Sequence, residues 1–178
     1  MIIPDGMMEQ LQKLVGHRDM KPYLSRAPGR IEVLGNHTDY NSGLVLAATI
    51  DKYVWSLGVP SDNVTLYSMD FEEYAEFTPS EFGSSMGLSW MKYARGVYWA
   101  FKRRNHDVRG VTVVIHGDVP IGGGLSSSAA FEVSFANLVA RNSNIELNAK
   151  ATAMIAFEAE NLYCGVSCGV MDQFTSQL

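Results

Sequence analysis

Apolar and polar positions alternate along this chain in two distinct periods, and those periods lay out its elements. Met8, Leu11, Leu14 and Val15 recur at helical spacing and predict an amphipathic helix over 5–18, which Arg26-Ala-Pro-Gly-Arg30 then breaks. From Ile31 to Leu34, and again from Leu44 through Leu57, apolar and β-branched residues dominate. The polar stretch from Gly35 to Gly43 between them predicts a hairpin with a chemically equipped tip. Val64 to Met69 and Tyr74 to Phe77 predict two shorter strands. Trp90, Tyr93, Ala94, Val97, Tyr98 and Phe101 repeat at three and four, so a helix ending near Asn105 is expected. Gly110-Val-Thr-Val-Val-Ile-His116 is a strand pattern.

A helix over 126–141 would turn Ala129, Ala130, Val133, Ala136 and Val139 inward, and a further one should cover 148–162. The turn from Gly165 to Gly169 leads into Met171-Asp-Gln-Phe174, where Phe174 and Leu178 sit four apart. That periodicity is still running at the last residue, with no Gly, Asn or basic residue to close a helix, so the terminus is expected to be a cut. Mixed strands and helices without strict alternation make the fold class α+β, a two-layer arrangement of a mixed sheet with helices. No repeat, low-complexity tract or linker divides the chain, so residues 1–178 are expected to form one domain.

Composition narrows the function classes. With 178 residues and 47% hydrophobic content the chain can bury a core of its own. A net charge of -5 and a pI near 5.3 argue against nucleic acid as a partner, because phosphate neutralisation needs a basic stripe. Lys102-Arg103-Arg104 is the one basic cluster and reads as a solvated helix end, or as local steering of an anionic nucleotide. The apolar run from Leu44 to Ile50 is too short for a membrane helix and Met1-Ile-Ile-Pro-Asp lacks a basic leader, so no membrane association and a cytoplasmic location are expected. Cys164 and Cys168, with three residues between them, match neither a redox pair nor a zinc knuckle and are expected to be small buried hydrophobes. His17, His106 and His116 have no ligand-like spacing.

The densest chemical signal is Gly122-Gly-Gly-Leu-Ser-Ser-Ser128, set between a strand and a helix. Glycines let backbone N–H groups approach a phosphate chain, a helix start adds favourable dipole charge, and serine hydroxyls suit phosphate oxygens or a hard cation. No Gly-Lys-Ser/Thr follows, so it is not a Walker loop, and the dinucleotide fingerprint fails at Ser127. A plain alternative is a sharp turn capped by Ser126. Taken alone, Asp172 reads as a carboxylate at a helix start, Glu160 as an exposed helical carboxylate and Arg30 as a surface residue. Trp90 and Tyr93 read as core aromatics or as part of a base-stacking wall.

Pro120-Ile-Gly-Gly-Gly-Leu-Ser-Ser-Ser-Ala-Ala130 resembles the central motif of the GHMP kinases. Arg26-Ala-Pro-Gly-Arg-Ile-Glu-Val-Leu-Gly-Asn-His-Thr-Asp-Tyr-Asn41 is similar to the galactokinase signature, and Cys168-Gly-Val-Met-Asp-Gln-Phe174 to the segment that carries the catalytic aspartate there. Trp90-Met-Lys-Tyr-Ala-Arg-Gly-Val97 fits the same pattern. The resemblance implies a GHMP kinase N-terminal domain, like domain 2 of ribosomal protein S5 in fold, in an ATP-dependent kinase acting on the anomeric hydroxyl of galactose or a related sugar. Asp172 and Arg30 would then be catalytic. Gly122, Gly123, Gly124, Leu125, Ser126, Ser127 and Ser128 would hold ATP, and Ser128 with Glu160 would hold Mg2+. Asn36, His37, Asp39 and Gly169 would grip the sugar.

Galactokinases typically carry glutamate where this chain has Asn36, which opens the alternative of a uronic or amino sugar, since an amide would not repel an acidic substrate. A non-catalytic sugar and nucleotide sensor is a second alternative. The family's C-terminal domain does not occur before Leu178, so the chain alone is expected to be inactive, and an apolar surface left exposed could pair with that domain or with a second copy.

Overall fold

The computed structural model describes residues 2–16, 21–35, 38, 43–80 and 90–178. Five strands, β1 (Tyr23–Leu34), β2 (Leu46–Ser61), β3 (Val64–Ser68), β4 (Glu73–Phe77) and β5 (Gly110–Gly117), form one mixed sheet in the order β1-β2-β5-β3-β4. All neighbours are antiparallel except β3 and β5, which run parallel because helix α2 (Met91–Arg103) carries the chain back between them. Helices α3 (Ser127–Asn142), α4 (Ala149–Glu158) and α5 (Met171–Gln177) complete the α+β architecture.

The two faces of the sheet follow from strand alternation. Val111, Val113 and Ile115 of β5 join Val54, Leu66 and the buried side of α2 and α3 in the larger core. Val114, Leu57 and Val59 point the other way, where Met7 and Leu11 of a short helix α1 (Met7–Val15) cover them. Phe101 and Phe135 are completely buried in the larger core, each adding about 1.5–3 kcal/mol. The inward set expected for α3 is buried, and so are Phe131, Glu132, Ser134 and Leu138 on its flanks. Among the described residues no helix is long and apolar enough to cross a membrane.

Several local expectations change. Arg26-Ala-Pro-Gly-Arg30 does not end an element; it lies within β1, with a register shift between Pro28 and Arg30. Because β1 is an edge strand, a residue without an N–H is tolerated there, and the bulge re-aims the chain. The helix expected over 148–162 stops at Glu158 and widens into a π-helical turn, Ala159–Tyr163. On α5 the buried positions are Met171, Gln173 and Ser176, while Leu178 is exposed, because polar contacts and not the four-residue apolar spacing choose its inner face.

Cys164 and Cys168 are only half-buried, at the edge of the turn and not inside the core. The basic cluster is paired and not simply solvated: Lys102 meets Asp107 at 3.1 Å, Arg104 meets Glu158 at 2.7 Å, and Arg103 lies over the Trp99 ring. Apolar surface is exposed at Val33, Leu34 and Leu46, at the far end of the β1–β2 pair.

Candidate active site

The connection from β5, the central strand of the sheet, to α3 carries the glycine-rich segment. Gly122 and Gly124 take φ of 73° and 70°, values that glycine adopts without strain and other residues rarely do. Ser126 takes φ 57° and ψ 49°, which costs a non-glycine residue about 1–2 kcal/mol. Its hydroxyl makes no cap on α3 and donates instead to Asp172 Oδ2 at 2.6 Å, so the capped-turn alternative does not describe it.

The β1 bulge holds this segment from the other side. The Arg30 N–H donates to the Leu125 carbonyl at 3.1 Å, and a Cβ added at Gly29 would come within 2.8 Å of that same oxygen. Glycine is therefore required where the two backbones meet. The Arg30 side chain then forks: Nε and Nη2 donate to Asp172 Oδ1 and Oδ2 at 2.8 and 2.7 Å, and Nη1 donates to the Gly124 carbonyl at 2.7 Å. Residues 142 positions apart become one bidentate pair, largely shielded from water. Ser176 of α5 donates to the Pro28 carbonyl at 2.6 Å, which docks the helix bearing Asp172 on the same bulge.

Glu160 sits on the π-helical turn with 5% of its surface exposed, not on an open helix face. The widened turn changes the phase of its side chains, and Gly96 of α2 makes room for it, since a Cβ there would lie 2.9 Å from the Ala159 carbonyl. The Ser128 hydroxyl lies near enough to Glu160 to favour its charged form. Burial raises the Glu160 pKa and the nearby Asp172 charge adds to this, while the neighbouring Ser128, Gln173 and Cys168 side chains favour the charged form. Glu132 of α3, fully buried, is raised well above its ordinary value by burial and by the Glu160 charge.

Ser128 and Glu160 thus bring one hydroxyl and one carboxylate together. Among the described residues no group of three or more His, Cys, Asp or Glu could hold a metal ion. One carboxylate and one hydroxyl suit a hard cation such as Mg2+, which keeps waters and takes further oxygens from bound phosphates.

Beside these groups opens a cavity of about 390 Å3, walled by Phe71, Trp90 and Tyr93 at one side and by Ser127 and Ser128 at the other. Trp90 stacks on Phe71 with ring centroids 6.2 Å apart and donates Nε1–H to Glu73 at 2.7 Å. Trp90 and Tyr93 pack against the core, as the first reading expects, and they also line the cavity. Burial, more than the neighbouring Glu160 charge, pushes the Tyr93 hydroxyl up to about 12. The cavity rim is fixed by Asp70, which meets His116 Nδ1 and the Gly117 N–H at 2.8 Å each. His116 also stacks on Trp55, and His106 sits edge-on to Phe101.

The fold therefore gathers Arg30, Gly124, Leu125, Ser126 and Asp172 in one bonded set, and Ser128 and Glu160 in an adjoining one. Gly122 and Gly123 lie on the exposed part of the loop, and Gly169 is half-buried two residues before α5. Asn36, His37 and Asp39, expected at the sugar, lie outside the described residues, as does His17. Glu132 and Gln173 were not singled out from the sequence. A charged residue set directly between the apolar Phe131 and Val133 was the available signal for the first, and adjacency to Asp172 for the second.

Comparison with known proteins gives concordant results. The profile for the GHMP kinases N terminal domain matches residues 92–178, and that for the galactokinase galactose-binding signature matches residues 9–59. The galactokinase of Thermococcus kodakarensis is 38% identical over 148 residues, covering 83% of this chain and 42% of that protein. That of Pyrococcus furiosus is 38% identical over 149 residues, covering 84% and 42%. The crystal structure of Lactococcus lactis galactokinase complexed with galactose superposes with a TM-score of 0.88 at 30% identity, over 94% of this chain and 44% of that one. The chain thus spans about two fifths of the length of the curated relatives it matches.

Proposed function

Because the chain belongs to the GHMP kinase family and corresponds to the N-terminal part of its galactokinase members, we propose that the protein is an ATP-dependent kinase that phosphorylates the anomeric hydroxyl of galactose or a closely related sugar. The observation that carries this reading is the Arg30–Asp172 pair, bonded through Ser126 and Gly124 to the glycine-serine loop. Phosphoryl transfer needs a nucleophile held in line, a sink for its proton and compensation of phosphate charge. In this reading Asp172 orients the sugar hydroxyl and takes its proton while the sugar oxygen bonds to the γ-phosphorus and the bond to the β-phosphate oxygen breaks. Arg30 keeps Asp172 in place through both oxygens.

The cavity walled by Phe71, Trp90 and Tyr93 takes the adenine, and the loop from Gly122 to Ser128 takes the phosphates, helped by the uncapped start of α3. Ser128 and Glu160 would hold Mg2+, which offsets phosphate charge when bound. Asn36, His37, Asp39 and Gly169 contact the sugar. In this reading a C-terminal domain of the family's kind closes the site and excludes water during transfer, and the enzyme works in the cytoplasm. The sensor alternative requires a damaged catalytic set, whereas Arg30, Asp172, Ser128 and Glu160 are all present.

The test is a coupled kinase assay on the protein at the length of its relatives, with galactose, galacturonate and amino sugars as acceptors. Asp172→Asn is expected to lower kcat about 10^2–10^4-fold while ATP binding persists. Unchanged turnover removes Asp172 from the reaction, and a clear preference for galacturonate over galactose assigns the Asn36 position to altered specificity.

A further inference from the structure

Gln173 of α5 is completely buried, one residue beyond Asp172. Its Nε2 donates to Glu160 Oε2 at 2.6 Å and lies 3.4 Å from Glu132 Oε2, so a single amide nitrogen spans carboxyl groups from the π-helical turn and from α3. Glu132 is itself completely buried. Three elements that supply the site meet at this side chain: α3, which starts at the glycine-serine loop, the turn bearing Glu160, and the helix bearing Asp172.

We propose that Gln173 is a positioning residue, an uncharged strap that ties the Glu160 carboxylate to the helix carrying Asp172 and so sets the spacing between the metal-binding and catalytic groups. This rests on the kinase reading of Glu160. The choice of an amide has a chemical reason. A carboxyl at 173 would add a third acid to a buried pair. A lysine would neutralise Glu160 and compete with a divalent cation for it. An amide has two N–H donors on one nitrogen and carries no charge, so it orients a carboxylate without cancelling it. Outer-shell partners of this kind hold ligating carboxylates in the geometry the metal needs.

The experiment measures ATP affinity of the chain by calorimetry across a Mg2+ titration. In Gln173→Met, the Mg2+ concentration that half-saturates the gain in ATP affinity should rise about tenfold or more, with metal-free ATP affinity within about twofold of the parent. Should that variant lose stability because Glu132 has lost its donor, the double variant Gln173→Met with Glu132→Leu refills the site with apolar groups and should recover its thermal midpoint while keeping the weakened Mg2+ response. An unchanged Mg2+ response, or equal loss of metal-free and metal-dependent affinity, overturns the proposal. If ATP binding in the parent ignores Mg2+, the metal reading of Glu160 fails instead. The strap is then judged by NMR: the Gln173 side-chain amide protons, assigned by their absence in Gln173→Met, should exchange slowly in the parent and rapidly in Glu160→Ala. Rapid exchange in the parent overturns it.

Discussion

Helices α3 and α4 pack in the same layer, yet they begin in opposite ways. α4 starts from Asn148 in an extended conformation, φ -79° and ψ 163°, and the Asn148 side chain accepts the Ala151 N–H at 2.8 Å. That start is completed from within the helix. α3 starts from Ser126 in the left-handed region, and the hydroxyl that could have capped it is turned to Asp172. Strain of about 1–2 kcal/mol there is offset by a charge-assisted hydrogen bond of about 1.5–3 kcal/mol. A helix start whose cap is diverted keeps its N–H groups for an anion, whereas a locally capped one is closed to it. The difference lies in what packs against each start: the start of α3 meets the β1 bulge and the aspartate of α5.

The contrast can be broken most severely at Gly29. In Gly29→Ala the new Cβ would press on the Leu125 carbonyl and crowd Val119 and Ile50, so the start of α3 must move. A loss of about 3 kcal/mol in urea denaturation is expected, together with weaker ATP binding; a stability equal to the parent would show that the bulge does not hold the loop. Ser126 sharpens the comparison next. Ser126→Ala removes the bond to Asp172 but keeps the left-handed backbone, for a loss of about 2 kcal/mol. Ser126→Gly removes the same bond and relieves the strain, so it should lose only about 1 kcal/mol. An alanine variant as stable as the glycine variant would contradict the strain account. Asn148→Ala is the mildest probe: about 1 kcal/mol of stability lost with the cap, and ATP affinity unaltered in calorimetry.

Much of this was readable along the chain. The helical periods of Trp90 to Phe101 and of Ala129 to Val139 marked α2 and α3 because each helix buries a continuous stripe against the sheet. The run Gly110 to His116 marked β5, which is covered by helices on both faces. The glycine-serine turn stood out through residue type, and Asp172 and Arg30 through the family motifs in which they lie. The extended course of β1 through Pro28 was not readable, because an edge position becomes known only once the sheet is assembled. Nor was the π-helical turn, since Ala159 to Tyr163 carries ordinary helical residues and its close approach to Gly96 is a tertiary contact. Glu132 and Gln173 escaped notice for a related reason: a lone polar residue on an apolar face acquires meaning only from the group it meets.

Local order in the chain, then, determined most of the strands and helices, where the glycine-rich turn falls, and that a carboxylate follows the turn at Gly169. Those properties depend on neighbours a few residues away, through backbone sterics and the burial of one face. Tertiary structure alone decided that Arg30 and Asp172, far apart in sequence, form a bidentate pair, that Glu160 is buried beside Ser128, and that Gln173 spans two acids. Directional contacts between distant side chains depend on how layers pack, and no pattern of nearby residues encodes that distance.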